Sequence, residues 1–162
     1  STTVLDNGHE RAVAVTELGY GYRTSALARS PAPLPILKAE FRLHRAAIGE
    51  CLGKIAEYER WRRAHQPREH SAGSMFKNPP GAAAGRLIDA AGLKGAAHGG
   101  AQISTRHANF FVTQPGATAA DIVALIRLAR RTVLERFGIQ LELEIIPLGR
   151  WEHDPRYVGG SD

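Results

Sequence analysis

The run "TAADIVALIRLARRTVLERFGIQLELEII", residues 118–146, constrains this chain more than any other stretch, because its hydrophobic period changes partway along. Ile122, Ile126, Ala129, Val133 and Phe137 recur every three or four residues, the spacing that lines up one face of an α-helix. Thr118 stands where a cap is needed, Asp121 falls in the first turn, and Gly138 ends the pattern. From there the period drops to two. Ile139, Leu141, Leu143 and Ile145 alternate with Gln140, Glu142, Glu144 and Ile146, which predicts a strand with both glutamates on the face opposite the leucines.

The first half carries a looser version of the same plan. "RAVAVTEL" (11–18) has strand composition, and in "ILKAEFRLHR" the residues Leu37, Ala39, Phe41 and Leu43 alternate with Lys38, Glu40, Arg42 and His44, predicting one buried and one wet face. From Ala46 to His65 the pattern is helical, with Ile48, Leu52, Ile55 and Tyr58 on one side, and Pro67 enforces a stop. "GYGYRTSALARSPAPLP" reads as a loop, "AAAGRLIDAA" as a short helix capped by Gly92, and "HANFFVTQ" as a strand. Two strand-and-helix blocks make an α+β chain. The expected division is 1–66, 67–150 and an irregular tail over 151–162.

Composition narrows the classes. At 162 residues with 43% hydrophobic and 23% charged, the chain can bury a core and does not have the composition of a disordered or fibrous protein. No apolar run reaches the length of a membrane span, and "STTVLDNGHE" is not a signal peptide, so a cytoplasmic protein is expected. Cys51 cannot form an internal disulfide, being the only cysteine, and its place in a helix predicts a buried small side chain. A net charge of +5 allows either a nucleic-acid surface or a site for a small anion. Its densest cluster, Arg60, Arg62, Arg63, His65 and Arg68, is placed where a helix C-terminus favours cations.

Several chemistries lack their residues. The seven histidines show no metal-ligand spacing and have no cysteine companion, so no metal is expected. Ser74 is not in a nucleophile elbow, and "PPGAAAG" lacks the Lys-Ser/Thr pair of a phosphate loop. What remains is a distributed set: Arg23 on a loop, Ser74 with Lys77 and Asn78 beside it, and Glu144 on the last strand. A guanidinium, a hydroxyl and a carboxylate could jointly bind and protonate an anionic substrate. Taken singly, each also suits a plain turn or surface position.

Taken together, "SAGSMFKNPPGAAAGRLIDAAGLKG" (71–95), "GGAQISTRHANFFV" (99–112) and residues 118–149 resemble the C-terminal part of the UDP-N-acetylenolpyruvoylglucosamine reductases. "LGYGYRTS" is similar to that family's tyrosine-arginine-x-serine motif. The resemblance implies the end of a flavin-binding α+β domain followed by a small α+β substrate domain. It also implies an enzyme in which NADPH reduces FAD and the flavin reduces the enolpyruvyl group of UDP-N-acetylglucosamine enolpyruvate, giving UDP-N-acetylmuramate for peptidoglycan. By the same resemblance Ser74 is the proton donor, Arg23 stabilises the intermediate, Glu144 stands near the reacting carbons, Asn78 and Lys77 hold the substrate, and Arg62 serves the diphosphate.

The chain also departs from the family pattern. The compact stretch from Pro79 to Gly95 is similar to the shorter subclass, in which no closing tyrosine is expected; His65 and Ala97 stand where relatives often carry basic residues. No glycine-rich pyrophosphate turn precedes Gly19, so most of the FAD site is expected in an N-terminal domain that acts as partner, with this chain inactive alone. The alternative is an inactive or partner-binding module whose basic surface takes nucleic acid or another anionic ligand.

Overall fold

Asp6, Asn7 and Gly8 fold the N-terminus into a hairpin. Asn7 and Gly8 both have positive φ, 49° and 80°, the signature of the type I′ turn that suits the twist of paired strands. The turn joins β1 (Thr2–Asp6) to β2 (His9–Val13), and β3 (Ile36–Ala39) pairs antiparallel with the other edge of β1. Between β2 and β3 lies the short helix α1 (Ala26–Arg29), its first turn capped by Ser25. The structure, a computed structural model, describes residues 1–149 and divides into a unit Ser1–Cys51 and a second beginning at Leu52. The tail expected over 151–162 lies outside the described residues.

The first unit is thinly cored. Val4, Val13 and Leu18 are buried, with Leu27 and Leu34 packed against them. The strand expected over 11–18 ends at Val13, and Ala14 to Leu18 form a turn instead. Residues 36–45 contain a strand only at Ile36–Ala39, and the expected buried face does not form: Phe41 and Leu43 are 80% and 84% exposed. Pairing with β1 is interrupted by a register shift at Thr3/Val4, and no layer of this unit covers that face among the described residues.

Helix α2 (Ile48–His65) forms over the expected residues, yet Ile48, Leu52, Ile55 and Tyr58 are all exposed. The stripe exists; nothing among the described residues packs on it. Cys51 is exposed for the same reason, contrary to the expected buried position.

The second unit holds the larger core. Strands β4 (His70–Ser74), β5 (Ala97–His98), β6 (Ala101–Ile103) and β7 (Phe110–Thr113) form an antiparallel sheet in the order β4-β7-β6-β5. Helix α3 (Ala84–Ala90) follows β4, and α4 (Ala119–Phe137) packs beside β5, β6 and α3. Helix α4 begins in a capping box: the Thr118 hydroxyl accepts from the Asp121 N–H at 3.2 Å, and the Asp121 carboxylate accepts from the Thr118 N–H at 2.9 Å. It ends at Gly138 in the left-handed region. Val123, Leu125, Ile126, Ala129 and Val133 are its buried stripe, each full side-chain burial contributing about 1.5–3 kcal/mol for the larger residues. Ile122 is only partly buried, and Phe137 lies largely outside the core.

Residues 139–146 do not form the expected strand, and Glu144 and Ile145 lie in a bend. Leu141 and Leu143 are buried and Glu142 is exposed, so the alternation is real. Only a single bridge, Phe76 to Leu143, links the segment to its neighbour. That neighbour, Met75–Lys77, is cut short by Pro79 and Pro80, which have no N–H with which to continue a ladder. No helix among the described residues is long and apolar enough to cross a membrane.

Candidate active site

The site begins with an irregularity in β4. Its register against β7 runs His70 to Thr113 and Ser71 to Val112, then shifts so that Ser74 faces Phe110. One extra residue is accommodated in a bulge, and Gly73 takes φ +84°, a conformation that side-chain-bearing residues rarely adopt. The bulge sets the orientation of Ser74 at the end of the strand.

Ser74 lines a cleft of ≈350 Å³ within the second unit. Asn78 and Arg86 stand on one wall, Lys94 on the loop after α3, and Arg106, His107 and Asn109 on the turn between β6 and β7. The cations Arg86, Lys94 and Arg106 meet one carboxylate, Asp89, which pairs with Lys94 at 2.7 Å. The field therefore favours an anionic ligand. Arg106 also donates to the carbonyl of Arg63 at 2.7 Å and of Ala64 at 3.4 Å, placing its guanidinium on the carbonyl end of α2. Burial holds the His107 imidazole below its ordinary range, and the nearby Lys94 charge acts in the same direction. The His107 Nδ1 accepts from the Asn109 N–H at 3.3 Å, which requires that nitrogen to be unprotonated.

The other residues singled out in the sequence divide into two groups. Asn78 lies in the cleft, where its Oδ1 accepts from the Ala84 N–H at 3.0 Å at the start of α3; its amide nitrogen is the donor it can offer a ligand. Glu144 comes beside the serine through the backbone, its N–H donating to the Met75 carbonyl at 2.9 Å, and it is half-buried. Lys77 is held in an ion pair with Glu142, and its N–H donates to the Glu142 carbonyl at 2.8 Å. Arg62 is exposed in the last turn of α2, with its Nε donating to Gln66 at 3.2 Å.

Arg23 belongs to the first unit. It occupies a tight turn closed by two Gly21–Thr24 backbone hydrogen bonds and has φ 55°, rare for arginine and costing on the order of 1 kcal/mol or more. Arg23 is exposed there.

Arg86, Lys94, Arg106, His107 and Asn109 were not singled out from sequence. They come from three separate elements, and their separations follow no helix or strand period. All five do stand inside the stretches 71–95 and 99–112 quoted for the family resemblance, and that was the available signal.

Among the described residues no buried side-chain nitrogen or oxygen lacks a hydrogen-bond partner. The first unit presents exposed apolar side chains, among them Ile36, Leu37, Phe41 and Leu43.

A family model for the C-terminal domain of UDP-N-acetylenolpyruvoylglucosamine reductase matches residues 66–148. The reductase of Chloroflexus aggregans is 51% identical over 146 residues, covering 88% of this chain and 49% of that protein. That of Geobacillus thermodenitrificans is 42% identical over 143 residues, covering 88% and 46%. The crystal structure of the Thermus caldophilus reductase superposes with a TM-score of 0.68 at 39% identity, over 88% of this chain and 50% of the other. The chain thus spans about half the length of the relatives it matches, and over that half, in sequence and in its mixed helices and antiparallel sheets, it belongs to the UDP-N-acetylenolpyruvoylglucosamine reductase family.

Proposed function

We propose that this chain is the substrate-binding and proton-delivering half of a reductase that converts UDP-N-acetylglucosamine enolpyruvate to UDP-N-acetylmuramate in peptidoglycan precursor synthesis. The observation that carries the reading is the position of Ser74: a hydroxyl presented by a bulge into a cationic cleft, next in sequence to the residue that accepts from the Glu144 N–H. Residues 67–150 are the substrate domain and 1–66 the end of the flavin-binding domain. FAD is held chiefly by the N-terminal half of a complete family member, with NADPH as reductant and the cytoplasm as the compartment.

The residues of this chain bind, orient and protonate. Asn78 donates to an acceptor oxygen of the UDP-sugar, Lys77 adds positive charge at the substrate, and Arg62 serves the diphosphate. Reduction of the enolpyruvyl double bond leaves an electron pair on the carbon next to the carboxylate, and the Ser74 hydroxyl gives its proton to that carbon. A serine hydroxyl is a weak acid, so the transfer needs a strongly basic acceptor and a cation that steadies the oxygen left behind. The family resemblance assigns that role to Arg23 and puts Glu144 near the reacting carbons.

The test joins this chain to the flavin-binding half of a relative and follows NADPH oxidation with the enolpyruvyl UDP-sugar. Ser74→Ala is expected to lower kcat by roughly 10²–10⁴-fold, the usual range for loss of a general acid, with substrate affinity nearly unchanged. No turnover in a folded, FAD-loaded joined protein would overturn the reading.

A further inference from the structure

A side chain takes the place of a missing strand partner beside Ser74. Met75–Lys77 continues past the bulge, and the Met75 N–H donates to the Asn109 carbonyl at 2.7 Å. Beyond that point the chain before β7 turns away into the His107 turn, so no backbone is available opposite Phe76. The Asn109 carboxamide fills the place: its Oδ1 accepts from the Phe76 N–H at 2.9 Å, and its Nδ2 donates to the Phe76 carbonyl at 2.8 Å. Asn109 is 3% exposed and Phe76 fully buried, so neither backbone group has water as an alternative partner.

The opposite edge of the same three residues holds the glutamate segment. The Lys77 N–H donates to the Glu142 carbonyl at 2.8 Å, and the Glu144 N–H donates to the Met75 carbonyl at 2.9 Å. The hydrogen bonds of Met75–Lys77 therefore leave toward Asn109 on one edge and toward 142–144 on the other, with Met75, at a bend, dividing its N–H and C=O between the two. Arg130 steadies the outer segment, its half-buried Nε donating to the Leu141 carbonyl at 2.9 Å.

We propose that Asn109 is a positioning residue for the reaction: by pairing with both backbone groups of Phe76, its carboxamide fixes Met75–Lys77 in place and so holds Ser74 and Glu144 in their working relation. It touches neither substrate nor reacting atoms in this role. The inference rests on the assignment of Ser74 and Glu144 made above.

Asn109→Asp separates positioning from general stability, because an ionised aspartate keeps the acceptor for the Phe76 N–H but loses the donor to its carbonyl, while a protonated one regains a donor. Residue-resolved hydrogen exchange on this chain is expected to show Phe76 and Glu144 amides exchanging about tenfold or more faster in the variant at neutral pH, with Ile126 and Ala129 unchanged. The excess over wild type should shrink as pH falls through the carboxyl's titration. In the joined reductase, kcat is expected to fall roughly 10- to 100-fold with KM changed by less than about threefold, the pattern of reacting groups displaced with binding preserved.

Wild-type kcat in Asn109→Asp at a pH above the carboxyl's titration, or a uniform rise in exchange across α4 with no local excess at Phe76, would overturn the proposal. Failure of the underlying assignment gives a different result, since Ser74→Ala would then leave kcat intact whatever Asn109→Asp does.

Discussion

Within the cleft, His107 links protonation to geometry. Its Nδ1 can accept from the Asn109 N–H only while unprotonated, and burial favours the neutral ring. Arg86, Lys94 and Arg106 line the same cleft and oppose a further positive charge, with Asp89 as the opposing carboxylate. Because the folded-state pKa lies below the ordinary 6.5, the unfolded chain binds more protons as pH falls below that value. The stabilising contribution is therefore fully present above about pH 6.5 and is lost as pH falls through the window between the ordinary and the depressed value. Thermal unfolding followed from pH 8 to pH 5 should show the wild type losing stability more steeply than His107→Gln across that window. Parallel profiles would show that His107 has no such role.

At the level of whole elements, the β5–β6 turn and the start of α4 depend on each other. The Asp121 carboxylate that completes the capping box also accepts from the Gly100 N–H at 3.3 Å. These bonds hold that carboxyl below its ordinary range, the Thr118 backbone being the larger cause and Gly100 the next. Gly100 itself lies so close to the helix entry that a Cβ there would stand 2.7 Å from the Ala117 Cα and 2.8 Å from its backbone nitrogen. Since backbone cannot swing aside as a long side chain can, Gly100→Ala is expected to destabilise the second unit by about 1–3 kcal/mol, a typical overpacking cost. Chemical denaturation would measure it, and an unchanged midpoint would show that the turn and helix separate freely.

The chain as a whole is uneven in how much it buries. The first unit rests on three buried apolar side chains, whereas the second buries a continuous cluster from Met75 to Leu143. Local opening free energy follows buried apolar contact, so amides of β1 to β3 should exchange at least about 100-fold faster than those of β6, β7 and α4. Equal protection, measured by residue-resolved hydrogen exchange, would contradict this. The exposed apolar residues Leu37, Phe41, Leu43, Ile48, Leu52 and Ile55 belong with the same picture: patterned for burial, they find no cover among the described residues.

What could be read from sequence was whatever depends on near neighbours in the chain. Helix α4, its capping box and the glycine at its end are local chemistry, and all three were legible in 118–138. The alternation of Leu141 and Leu143 with Glu142 was legible too, although whether it became a ladder depended on how far Met75–Lys77 could pair before two prolines. The hairpin at Asp6-Asn7-Gly8 is equally local, an Asn-Gly pair being the sequence such a turn favours. Ser74, Asn78 and Glu144 could be named because their motifs are contiguous. Their surroundings could not: the cations at 86, 94 and 106, and the carboxamide of Asn109 against Phe76, meet across separations with no period. Burial of the stripes on α2 and β3 was likewise beyond reach, since an apolar pattern states only that a face could be covered, and the covering layer is supplied by residues far away in the chain or outside it.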